Sequence, residues 1–221
     1  QLLKAPKYFL LLLLTFPLLL AYYSIWTEGL YGVLFVLLAI QIKKDEAYQK
    51  MVWLILIIVF LCMTRMVGLV AAGSLFLAYL IEQRRLRGAL VLVVGLFAIG
   101  VWTLLGSYLL GETARSMEWH PVNGQDLQFI FHEVGYWLTA AETKLITVSV
   151  GGCVILLPLV LILTNWKSRK EKGLLFWFLN IHFYAYTLFI ILSKSILDAS
   201  IAFDERTLFP LMLNFILILV Q

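Results

Sequence analysis

Residues 89–110 read Ala89-Leu-Val-Leu-Val-Val-Gly-Leu-Phe-Ala-Ile-Gly-Val-Trp-Thr-Leu-Leu-Gly-Ser-Tyr-Leu-Leu110, a run without a single charge, and the basic cluster Arg84, Arg85 and Arg87 stands just before it. As a helix rising 1.5 Å per residue this run is about 33 Å long, enough to cross a hydrocarbon core of roughly 30 Å. Working outward, further apolar runs occupy 8–25, 30–42, 51–63, 66–81, 145–163, 174–192 and 211–220. The pattern predicts an all-α polytopic transmembrane bundle of about eight segments. The runs at 30–42, 51–63 and 66–81 fall short of the roughly 20 residues of a straight crossing, so they are expected to be tilted, re-entrant or extended by polar flanks.

Composition points the same way. The chain is 62% hydrophobic and 14% charged, with a mean hydropathy of +0.95, where soluble domains are about 45–50% apolar and 25% charged. That excludes a water-soluble fold, a disordered chain and a disulfide scaffold, and no contiguous basic face suggests a nucleic-acid partner. Cys62 and Cys153 lie inside apolar runs and read as small hydrophobes. The chain opens on Gln1 and stops at Gln221 ten residues into an apolar run, so 1–221 is expected to be one transmembrane domain within a longer protein. Although Lys4 and Lys7 precede the run at 8–25, its length and Pro17 do not fit a signal peptide.

Lys and Arg assign the orientation, because basic clusters in short loops stay cytoplasmic. Lys4/Lys7, Lys43/Lys44/Lys50, Arg84/Arg85/Arg87 and Lys167/Arg169/Lys170/Lys172 all fall inside if the stretch from 51 to 81 goes out and returns. The inner loops then carry +8 and the outer ones −4, so the basic pI reports topology and anionic lipid, not a polyanionic partner. The outer side collects Glu28, Arg65, His120, Asp204 and Arg206, and the active face is expected to be extracytoplasmic. The outer loop 111–143 contains an amphipathic stretch in which Leu127, Ile130, Phe131, Val134 and Leu138 recur at helical spacing, as an interfacial helix would have them.

Five residues are candidates for substrate binding. Arg65, between two apolar runs, needs an anionic partner, either a ligand phosphate held by its fork or a structural acid such as Glu28. Glu28, in Trp26-Thr27-Glu28-Gly29, reads as part of a tight turn, either solvated or at the mouth of a cleft. Asp204 and Arg206 precede a helix whose first turn is marked by Pro210, and form either a clamp for a sugar phosphate or an ion pair. His120, beside Pro121, is a candidate for substrate contact. His132-Glu133 opens like a zinc-protease helix, but Tyr136 stands where the second His is needed, so no metal site follows. His182, inside a span, is expected to make an interhelical hydrogen bond.

Taken in order, Trp26-Thr-Glu-Gly-Leu-Tyr31, Thr64-Arg65-Met-Val-Gly68, Arg84-Arg-Leu-Arg87, Trp119-His120-Pro121 and Asp204-Glu-Arg206-Thr-Leu-Phe-Pro210 resemble the C-terminal two-thirds of bacterial polytopic glycosyltransferases of the GT-C type. The pattern is similar to the protein mannosyltransferases and the lipid A aminoarabinose transferases. The resemblance implies an inner-membrane enzyme that moves a sugar from a polyprenyl-phosphate carrier to a glycan, lipid or protein acceptor on the outer face. It also implies a catalytic carboxylate in a first outer loop upstream of Gln1, a role that Glu28 does not inherit. No cofactor is identified, with a divalent metal left open. An O-antigen ligase or polymerase handles similar donors, while a transporter or flippase would place ionisable groups near mid-membrane.

Overall fold

The computed structural model describes residues 27–43, 50–64, 66–110, 122–141, 143–167, 172–197 and 205–221. They are all-helical: α1 (Thr27–Lys43), α2 (Lys50–Thr64), α3 (Gly68–Ile81), α4 (Arg85–Leu110), α5 (Gly124–Thr139), α6 (Lys144–Asn165), α7 (Leu174–Leu192), a π-helical turn (Ser193–Leu197) and α8 (Glu205–Val220). Among the described residues there is no strand. Among the described residues three helices are long and apolar enough to cross a membrane: Arg85–Leu104, Lys144–Asn165 and Leu174–Ile196. The run at 8–25 lies outside the described residues. An apolar run becomes a helix because only a helix satisfies each backbone N–H and C=O within its own segment.

The helix α7 is the centre. It packs against α1, α3, α6 and α8, and it buries Trp177, Phe178, His182, Phe183 and Tyr186. The outer helices α4 and α6 turn large apolar side chains outward, with Leu86 88%, Leu145 77% and Phe97 72% exposed. Such an exterior suits acyl chains better than water.

Register fixes which ends meet. On α1, Tyr31 reaches His182 and Phe35 reaches Phe178, so α1 runs antiparallel to α7. On α8, Thr207 meets Tyr186 and Asn214 meets Leu179, so α8 is antiparallel to α7 and parallel to α1. Tyr184 spans Ile155 and Leu159, and Trp166 meets Trp177 edge-on at 5.7 Å, which makes α6 antiparallel to α7 as well. The six-residue link from Lys43 to Lys50 joins two helices in contact, hence an antiparallel pair. The chain reverses again between α2 and α3, where Gly68 lies so near the Leu61 and Cys62 backbone that a Cβ would overlap it. Between α3 and α4, Gln83 takes a left-handed φ of 62° while Arg84 N–H donates to the Tyr79 carbonyl, closing a Schellman turn without glycine.

One end of the bundle therefore gathers Lys43, Arg84, Arg85, Arg87, Lys167 and Lys172. The opposite end holds the starts of α1 and α8, the α2–α3 turn and the π-helical turn. Depth differs at that second end. Gly95 of α4 lies on Ala72 and beside Cys62, so α2 stops level with about residue 99 of α4, and α4 continues about 16 Å farther. The short α2–α3 hairpin is thus lower than its neighbour.

Two sequence expectations change in detail. Glu28 is in the first turn of α1, not in a loop, where its charge complements the positive end of the helix dipole. Arg206 is the second residue of α8 and Pro210 lies inside that helix, because tertiary support lets the helix start five residues before the proline.

Candidate functional site

The starts of α1 and α8 meet at glycine. Gly32 has no side chain, and a Cβ there would come within 2.9 Å of the Phe209 ring and 3.5 Å of Leu213. Glu28 lies one turn before Gly32, and Arg206 one turn before Phe209. The two helices thus enter side by side with Glu28 and the Arg206 backbone at the same end and similar depth. Glu28 is 7% exposed, an unusual burial for a carboxylate at a helix start. Arg206 is described as backbone only. Arg65, Asp204 and His120 lie outside the described residues, although Thr64 and Met66, which flank Arg65, end the α2–α3 hairpin at this same end.

Below this level a polar cluster ties three helices together. His182 is fully buried. Its Nε2 lies 3.4 Å from the Tyr31 hydroxyl of α1, and its Nδ1 lies 3.2 Å from Asn214 Nδ2 of α8. The tautomer follows from the third contact. Asn214 Nδ2 also donates to the Leu179 carbonyl at 2.9 Å, and a carbonyl only accepts, so the amide nitrogen must face this side. His182 Nδ1 is then an acceptor, and the ring hydrogen on Nε2 donates to Tyr31. Phe35 packs on the imidazole with centroids 4.5 Å apart, and Tyr186 lies nearly parallel to it at 6.0 Å. One turn after His182, the Tyr186 hydroxyl donates to the Thr207 carbonyl in the first turn of α8.

A second polar junction sits where α7 passes into the π-helical turn. Lys194 Nζ is 2.7 Å from Asp126 Oδ1 at the start of α5. Asp126 is also half of a capping box. Asn123 Oδ1 accepts from Gln125 and Asp126 N–H at 2.8 and 2.9 Å, and Asp126 Oδ2 accepts from Asn123 N–H at 3.1 Å. The Lys194 ammonium, then the Asn123 N–H, hold the Asp126 carboxyl below the usual carboxylate range. The helix this caps is amphipathic and buries Ile130, Val134 and Gly135 against α6. That seam is backbone on backbone: Gly135 presses on the Thr147 carbonyl and Gly151 on the Phe131 carbonyl.

The expected hydrogen bond of His182 is present, but its partners Tyr31 and Asn214 were not foreseen. Neither were Lys194 with Asp126, nor Tyr186 with Thr207. His132 lies 3.4 Å from its neighbour Glu133 and stacks on Tyr136, and among the described residues no three His, Cys, Asp or Glu gather as metal ligands. Chemically, the end near α1 and α8 offers one buried carboxylate and the turn that carries a guanidinium, over a neutral hydrogen-bonded floor. No protein-family model, curated protein or solved structure matches this chain.

Proposed function

We propose that this chain is the membrane-embedded part of a bacterial glycosyltransferase that moves a sugar from a polyprenyl-phosphate donor to an acceptor on the extracytoplasmic face. The observation that carries the reading is the convergence of the α1 and α8 starts, which brings the Glu28 turn beside the Arg206 turn at the end opposite the basic cluster. In the reaction the acceptor oxygen attacks the anomeric carbon, the bond from that carbon to the phosphate oxygen breaks, and the phosphate leaves with the electron pair. The acceptor proton passes to a general base, a role assigned to no residue described here. Charge develops on the phosphate, so a guanidinium at the membrane interface favours departure. Arg206 takes this role, and Arg65, whose chain neighbours Thr64 and Met66 lie at the same end of the bundle, is the second cation assigned to it. About eight membrane segments complete the reading, the short ones leaving lateral room for a prenyl chain. Helix α5 lies toward the outer interface.

Transfer by the full-length protein in proteoliposomes, from labelled polyprenyl-phosphate sugar, tests this. Arg206→Ala and Arg65→Ala are each expected to lower turnover by about 100-fold. Wild-type turnover in both contradicts the phosphate role. Use of a diphosphate donor only would turn the reading toward a ligase or polymerase, and solute flux without transfer toward a transporter.

A further inference from the structure

Pro210 leaves the first turn of α8 short of internal support. It has no N–H for the carbonyl of Arg206, four residues earlier, and its ring crowds that carbonyl. A donor from another helix reaches the next carbonyl along, since the Tyr186 hydroxyl bonds Thr207. Tyr186 is itself well held. Its ring is buried and lies 12° from parallel with His182, which is bonded to Tyr31 on α1 and Asn214 on α8. The two attachments of α8 to α7, at Thr207 and Asn214, are two turns apart and so fix the rotation of α8 as well as its height. Tyr31 joins α1 to the same imidazole. Helix α7 thereby sets the Arg206 turn against the Glu28 turn.

We propose that Tyr186 is a positioning residue for donor binding: its hydroxyl on Thr207 holds the first turn of α8 at the height where Arg206 meets the donor phosphate. This rests on the glycosyl-transfer reading above. Tyr186→Phe is the informative variant, because it keeps the ring on His182 and removes only the hydroxyl. In the full-length protein, kcat/KM for polyprenyl-phosphate sugar is expected to fall about fivefold, in the direction of the larger loss on Arg206→Ala. The effect should vanish when Arg206 is already Ala, since the hydroxyl acts through that residue. Spin labels at positions 30 and 206 give a readout independent of turnover, and their distance distribution is expected to broaden in Tyr186→Phe. An unchanged kcat/KM, an unchanged distribution, or additivity with Arg206→Ala overturns the inference alone, provided Arg206→Ala itself lowers transfer. Wild-type transfer by Arg206→Ala overturns the functional reading and, with it, the role of Tyr186 in donor binding.

Discussion

Asn214 of α8 donates to His182 of α7 across 3.2 Å within the apolar interior, yet the two residues contribute unequally to stability. Asn214 makes two hydrogen bonds through Nδ2, while its Oδ1 is buried with no partner among the described residues. Interhelical hydrogen bonds in membranes average about 0.6 kcal/mol, and an orphaned acceptor costs about 1–3 kcal/mol. Asn214→Leu relieves that orphan but leaves the buried His182 Nδ1 without its donor, so these two terms offset and the net loss is expected to be about 1 kcal/mol. His182→Ala instead empties a packed site between Phe35 and Tyr186 and is expected to cost about 3 kcal/mol. Denaturant unfolding in micelles compares the two; an Asn214→Leu loss as large as that of His182→Ala contradicts the assignment.

Adjacent glycines on α6 are expected to respond with opposite sign. A Cβ on Gly151 overlaps the Phe131 carbonyl, and backbone cannot yield as a side chain does; a Cβ on Gly152 meets open space. Gly151→Ala is expected to destabilise by about 1–3 kcal/mol, as overpacking does, and Gly135→Ala likewise against Thr147. Gly152→Ala should gain up to about 1 kcal/mol from helix propensity. Thermal melts of the three variants decide, and equal shifts for Gly151→Ala and Gly152→Ala argue against the seam.

The Lys194 contact gives the start of α5 an acid sensitivity. Because the folded-state pKa of Asp126 is depressed, its stabilisation is fully present above the ordinary carboxylate value of about 3.9 and is lost as pH falls through the lower folded value. Asp126→Asn removes the charge and is expected to cost about 1 kcal/mol near neutrality. Below the folded pKa the variant and wild type should converge. Amide exchange of α5 from pH 7 to pH 2 follows this, and a difference that grows in acid has the wrong sign.

Much of the helical framework was legible because lipid-like surroundings leave an apolar run little choice but a helix. The runs at 51–63, 66–81, 89–110, 145–163 and 174–192 correspond to α2, α3, α4, α6 and α7. Their polar flanks were less legible. Arg85 and Arg87 join α4, Glu28 joins α1, and Arg206 joins α8, since a charge at a helix end is compatible with continued backbone bonding. Local periodicity could not reveal which helices share a register. Tyr31 and His182 are 151 residues apart, and Lys194 and Asp126 are 68 apart. Nor could the sequence say which of Gly151 and Gly152 faces a partner, because that depends on the rotation of α6 against α5. Glu28 and the Arg206 turn were expected at one end, and the contact of Gly32 with Phe209 supplies the geometry that brings them there.

Cysteine labelling most directly tests whether the α1 and α8 starts share one membrane face. In a background with Cys153, which is exposed, changed to Ser, single cysteines at positions 29 and 206 report the proposed outer end. Cysteines at positions 86 and 167 report the basic end. Added to intact cells, a membrane-impermeant maleimide is expected to modify 29 and 206, and to reach 86 and 167 only after permeabilisation. Modification of 29 and 206 from opposite faces would contradict the account.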